Sequence, residues 1–157
     1  MYTSKTNIMT EQNSNPDSLT WTHTRSSLSA ETFGNPASSL DMDCHICVKN
    51  GDKFSGVPAR AIWDTGTSTT VISTTIAAKL GLQPVGKMRI NGLGGIQHSW
   101  VTTAFLRFPN GTVAGPFYMA VHDLPSTDVL IGMDVISMGT FHLERKPDGG
   151  SRFTFTL

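Results

Sequence analysis

Ala61-Ile62-Trp63-Asp64-Thr65-Gly66-Thr67-Ser68 runs an apolar stretch into a carboxylate and a glycine turn, and Val71-Ile72 resumes the apolar stretch beyond it. A carboxylate placed where a buried strand ends and a tight Gly turn begins is held rigidly and partly out of water. Acid, glycine and hydroxyl residues in this order also occur in phosphate loops and by chance, so the surroundings decide. The motif occurs once in 157 residues.

Working outward, the neighbouring pattern is mostly that of strands. Cys44 to Lys49 and Val57 to Trp63 read as strands joined by a turn at Asn50-Gly51. Ser73 to Leu80 is the one clear helical stretch: Ser73 can cap it, Ile76, Ala77 and Leu80 share a face, and Gly81 ends it. Val85 to Ile90 and Ile96 to Phe108 read as strands around a Gly-rich tip, Asn91-Gly92-Leu93-Gly94-Gly95. Asn110-Gly111 is a two-residue hairpin signal that returns the chain through Phe117 to His122. Asp128 to Ile131 is a short apolar strand stopped by Gly132, and a short helix is expected from about Met133. Asp148-Gly149-Gly150 then turns into the alternating Phe153, Phe155 and Leu157.

Residues 1 to 40 are rich in Ser, Thr and Asn and show no period. Such a segment buries too little apolar area to offset its ordering entropy, so residues 1–40 are read as a disordered tail and 41–157 as the domain. Net charge is zero, and no basic stripe with interleaved aromatics supports nucleic-acid binding. Met1 to Thr10 lacks the apolar core of a signal peptide, and runs such as Phe117 to Val121 are too short to span a bilayer. A cytoplasmic protein without membrane contact is the expectation. Cys44 and Cys47 form the only C-x-x-C pair, whereas a structural zinc site usually needs four ligands. On a strand, residues three apart face opposite sides. They are therefore read as strand residues, and neither a metal nor another cofactor is expected.

The triplet Asp64-Thr65-Gly66, the Gly-rich hairpin and Val129-Leu130-Ile131-Gly132, in this order, resemble the aspartic proteases, and among them the single-lobed retropepsin-like family in its bacterial or cellular form. The resemblance is closest over Ala61 to Leu82 and Asp128 to Ile136 and looser over the hairpin. It implies an all-β half-barrel with one or two short helices, closed by homodimerisation, and an endopeptidase acting on a peptide or protein substrate. Asp64 would be the catalytic aspartate. Thr65 would hydrogen-bond across the dimer axis, and Gly66 would bring its N–H to the carboxylate. Thr67 and Ser68 would support the loop. Gly92, Leu93, Gly94, Gly95 and Ile96 would form the flap, and Leu130, Ile131 and Gly132 would pack under the active-site loop.

The chemistry agrees with the resemblance. Two carboxylates about 3 Å apart share one proton, so one activates a water and the other donates to the developing oxyanion. One chain supplies one Asp, so a two-fold partner is expected to supply the second. Phe153, Phe155 and Leu157 are the candidate for a shared interface sheet, or else an ordinary core strand. Two positions depart from the retroviral pattern. Thr67 stands where Ala is usual; its hydroxyl can bond the carboxylate, and an acidic optimum is expected. Met133-Asp134 stands where Arg is usual, so Asp134 is read either as a brace of the terminal helix or as a surface carboxylate. An actin-like or Hsp70-like ATPase fits Asp64 to Ser68 locally, but such folds need two large α/β domains. The remaining rival is a dimer of the same fold that binds peptides without cleaving them.

Overall fold

The computed structural model describes residues 9–11, 20–23, 27–92 and 95–157. The chain divides into two compact units. One comprises the chain up to Leu40, Pro109–Thr112 and Ser137–Leu157; the other comprises Asp41–Phe108 and Val113–Ile136.

The first unit holds β1 (Met9–Glu11), β2 (Thr20–His23) and β3 (Ser27–Glu31) from the N-terminal side, and β11 (Thr140–Arg145) and β12 (Ser151–Thr156) from the C-terminal side. They form one antiparallel sheet in the order β1-β2-β3-β12-β11. The sequence expectation of a structureless tail to residue 40 therefore fails at Ser27–Glu31. Leu28 and Ala30 are placed opposite Phe155 and Phe153, and all four are buried. Two apolar residues spaced by two suffice because the partner strand supplies the larger side chains. Glu31 reinforces the pairing by bridging Arg152 (2.6 Å) and Lys146 (3.1 Å). Residues 137–157 likewise separate from the expected single domain and join this unit.

β12 shows the second of the two readings given for it, a core strand with Phe153 and Phe155 buried. Both its edges are taken within the chain, by β3 and by β11, so it has no free edge for a partner strand. Leu157 lies beyond the strand and is exposed. The turn into β12 forms at the expected place: Gly149 has φ 89°, and the Gly150 N–H donates to Asp148 Oδ1.

The second unit contains β4 (Asp41–Asn50), β5 (Lys53–Trp63), β6 (Val71–Ser73), α1 (Thr74–Lys79), β7 (Gly86–Gly92), β8 (Gly95–Arg107), β9 (Val113–His122), β10 (Val129–Ile131) and α2 (Met133–Ile136). Its seven strands run β4-β5-β10-β6-β9-β8-β7, and β4 also pairs with β8. Six strands therefore close into a ring, and β7 hangs from β8 as the arm of a hairpin. The all-β expectation holds, and both short helices fall where the sequence placed them. Ser73 accepts from the Ile76 N–H as the cap of α1, and Gly81 leaves it at φ 61°.

Met42, Ile46, Ala61, Ile72, Leu106, Met119, Val129 and Ile131 are buried in this unit. Trp63 is buried and stacks on Phe108 at 6.1 Å between ring centroids. Cys44 and Cys47 are free thiols on β4, both buried, and burial pushes both above their ordinary acidity range. Among the described residues, no group of His, Cys, Asp and Glu is arranged to hold a metal ion, and no helix is long and apolar enough to cross a membrane.

Candidate active site

β10 is the keystone of the site. It lies between β5 and β6, parallel to the first and antiparallel to the second. Residues 64–70 leave β5, pass over the end of β10 and enter β6. The Asp64 N–H donates to the Ile131 carbonyl at 2.9 Å, which extends the β5–β10 ladder by one bond and fixes where the carboxylate starts.

That passage needs a glycine beneath it. A Cβ on Gly132 would sit 2.7 Å from the Thr69 carbonyl carbon, 2.8 Å from Thr67 O and 2.9 Å from Thr70 N. These are backbone atoms of the loop, so no rotamer change relieves the contact. Leu130 and Ile131 flank it differently: Ile131 is fully buried, whereas Leu130 is half-buried and lies opposite both Ile62 and Val71.

Asp64 is half-buried, and the turn places one donor on each carboxylate oxygen. The Gly66 N–H donates to Oδ1 at 2.8 Å, and the Thr67 hydroxyl donates to Oδ2 at 2.7 Å. The Thr67 N–H returns to the Asp64 carbonyl at 3.2 Å, closing the turn. The carboxylate is thus oriented by short hydrogen bonds from its own loop. Thr65, Gly66 and Ser68 are exposed at this turn.

The far half of the loop is fastened to α2. The N–H groups of Met133 and Asp134, free at the start of a helix, donate to Thr67 O (2.8 Å) and Ser68 O (3.2 Å). The Asp134 carboxylate accepts from the Thr70 N–H at 3.0 Å and from the Thr70 hydroxyl at 2.7 Å. The Gly132 N–H in turn donates to Thr70 Oγ1 at 3.1 Å. Asp134 therefore reaches the loop as well as its own helix, which the sequence reading did not foresee. Thr70 drew no attention in the sequence, because its partners are 62 and 64 positions away. The Gly-x-Asp after an apolar strand was the one available signal.

The hairpin of β7 and β8 brings Gly92 opposite Gly95 and Asn91 opposite Ile96. Leu93 and Gly94 lie outside the described residues. Gly95 takes φ 90°, a left-handed conformation that favours glycine. Ile96 and Trp100 are exposed on β8, and the Lys87 ammonium lies 4.4 Å from the centre of the Trp100 ring. Asp128 Oδ2 accepts from the Arg60 N–H at 3.0 Å, and the Asp128 backbone bridges Arg60 and Ser73.

The solved structures to which the chain is similar include the following three. The protease of EIAV, solved with the inhibitor HBY-793, is 23% identical with a TM-score of 0.43, covering 58% of this chain and 92% of that one. A retropepsin-like aspartic protease from Rickettsia conorii is 17% identical with a TM-score of 0.47, covering 76% and 97%. The retroviral protease-like domain of Ddi1 from Leishmania major is 18% identical with a TM-score of 0.39, covering 66% and 81%. No curated protein matches the chain. The aspartyl protease family model matches residues 52–135, a span that takes in β5, the 64–70 loop, the hairpin, β10 and the first turn of α2. That span is more than half of the sequence and holds every group that orients Asp64, so the chain belongs to the aspartyl protease family.

Proposed function

We propose that the protein is an aspartic endopeptidase that assembles its site from two copies of the chain, with Asp64 of each as the catalytic carboxylate. The observation that carries this reading is the carboxylate's setting. It stands at the end of a strand locked to β10, with one short donor on each oxygen, and is still open to solvent on one side. A carboxylate so fixed can hold a water against a second carboxylate. One of the pair takes the water's proton as the oxygen attacks the scissile carbonyl, while the other gives its proton to the carbonyl oxygen. Collapse of the tetrahedral intermediate breaks the C–N bond and returns a proton to the leaving amine.

Leu130 and Ile62, paired across β10 and β5 and both only half-buried, give the neighbourhood of Asp64 an apolar floor. An extended peptide with apolar side chains around the cleaved bond suits it. The hairpin residues Gly92, Leu93, Gly94, Gly95 and Ile96 are assigned to the cover of that peptide, with Thr65 joining the two loops across the axis.

The test is cleavage of a peptide library by wild type and by Asp64→Asn, from acid to neutral pH, with and without a transition-state mimic such as pepstatin. Cleavage that is lost in Asp64→Asn and blocked by the mimic is expected. If both proteins bind peptide and neither cleaves it at any pH, the fold serves as a binding module and the protease reading fails.

A further inference from the structure

Asp134 is an acid in the first turn of a four-residue helix, where a carboxylate ordinarily serves only its own helix's N–H groups. One of its bonds does so: Oδ1 accepts from the Val135 N–H at 3.0 Å. The remaining bonds leave the helix and end on Thr70, at the last residue of the loop that carries Asp64.

Thr70 is fully buried, so each of its polar atoms needs a protein partner. Its N–H and hydroxyl donate to Asp134, its Oγ1 accepts from the Gly132 N–H, and its carbonyl accepts from the Ala120 N–H at 3.0 Å. Among the described residues, the acceptor for both donors is the one carboxylate. Because Met133 N and Asp134 N also hold Thr67 O and Ser68 O, the loop from Thr67 to Thr70 is bound to residues 132–134 along its length. Thr67 then passes the constraint on through its hydroxyl to Asp64 Oδ2.

We propose that Asp134 is a positioning residue of the proteolytic site: through Thr70 it sets the height and tilt of the loop, and so the aim of the Asp64 carboxylate. The inference rests on the proteolytic reading. Asp134 touches neither Asp64 nor the expected place of the substrate, so its loss misaims the acid without removing substrate contacts. A misplacement on the scale of one ångström costs about a hundredfold in rate.

The experiment compares wild type, Asp134→Ala, Asp134→Asn, Thr70→Val and the double variant Asp134→Ala/Thr70→Val. Steady-state kinetics on one cleaved peptide are measured beside hydrogen exchange of the Gly66 and Thr67 amides. In Asp134→Ala, kcat is expected to fall about tenfold to a hundredfold with KM nearly unchanged, and both amides to exchange faster. Asp134→Asn recovers most of the loss, because its amide oxygen can still take the Thr70 hydroxyl and the Val135 N–H. The double variant is no worse than the poorer single one, since both substitutions remove the same link. If Asp134→Ala does not fold, Thr70→Val, nearly the same shape, carries the same expectation. Wild-type kcat together with wild-type amide protection in the folded variants overturns the proposal. A wild type that cleaves nothing, while both amides respond to Asp134→Ala, defeats the proteolytic reading and upholds the brace.

Discussion

At the scale of single residues, the site depends on what Gly132 lacks. The loop crosses so closely that a methyl group there meets three backbone atoms at once, none of which can rotate away. Gly132→Ala should therefore destabilise the second unit by about 1–3 kcal/mol, the usual range for forced overpacking, with the shift read as a lower urea midpoint at unchanged slope. Activity should fall further than stability does, because the displaced atoms belong to Thr67, Thr69 and Thr70 of the loop that carries Asp64. A variant with the wild-type midpoint would show that the loop can lift at little cost. The turn at Asp64 was legible in the sequence because it is local: its donors stand two and three residues from the acid they serve. The Asp134–Thr70 link was not legible, because a carboxylate and a hydroxyl 64 positions apart leave no pattern in a linear chain.

At the scale of elements, α1 was readable from end to end, since Ser73, the Ile76–Ala77 face and Gly81 are all local signals. β3 and β11 were not. β3 offers only Leu28 and Ala30 to a core whose bulk comes from β12, and β11 is largely polar and forms the outer edge of its sheet. β3 is also fastened by charge. Hydrogen bonding to Arg152, and then to Lys146, holds the Glu31 carboxyl below its ordinary acidity range. A carboxyl depressed in the folded state contributes stability above its unfolded value and loses it as pH falls through the folded one. The first unit should thus loosen in acid, and Glu31→Gln should flatten that part of the profile. Thermal unfolding followed against pH tests this: equal acid slopes for the two proteins would mean that Glu31 adds nothing. An acidic optimum would therefore be reached under conditions that weaken the attachment of β3.

At the scale of the whole molecule, the proposed mechanism, with one Asp64 per chain, makes activity a property of pairs. Activity per chain should fall on dilution. It should also fall when wild type is mixed with excess Asp64→Asn, because mixed pairs hold only one carboxylate able to serve as acid or base. Kinetics over a titration of the inactive chain measure this, and activity that stays proportional to wild type alone would show that each chain works by itself. Since β12 has both edges occupied within the chain, a partner strand would not pair with β12 itself.

The position of β10 has a further consequence, in time rather than in space. The strand that separates β5 from β6 is synthesised last of the three, and the Gly132–Thr70 bond spans 62 positions. A growing chain carries Asp64 long before the strand that locks its loop has been made. Closing so long an excursion is slow compared with forming a hairpin. Throughout that interval the aspartate is present without the strand that locks its loop.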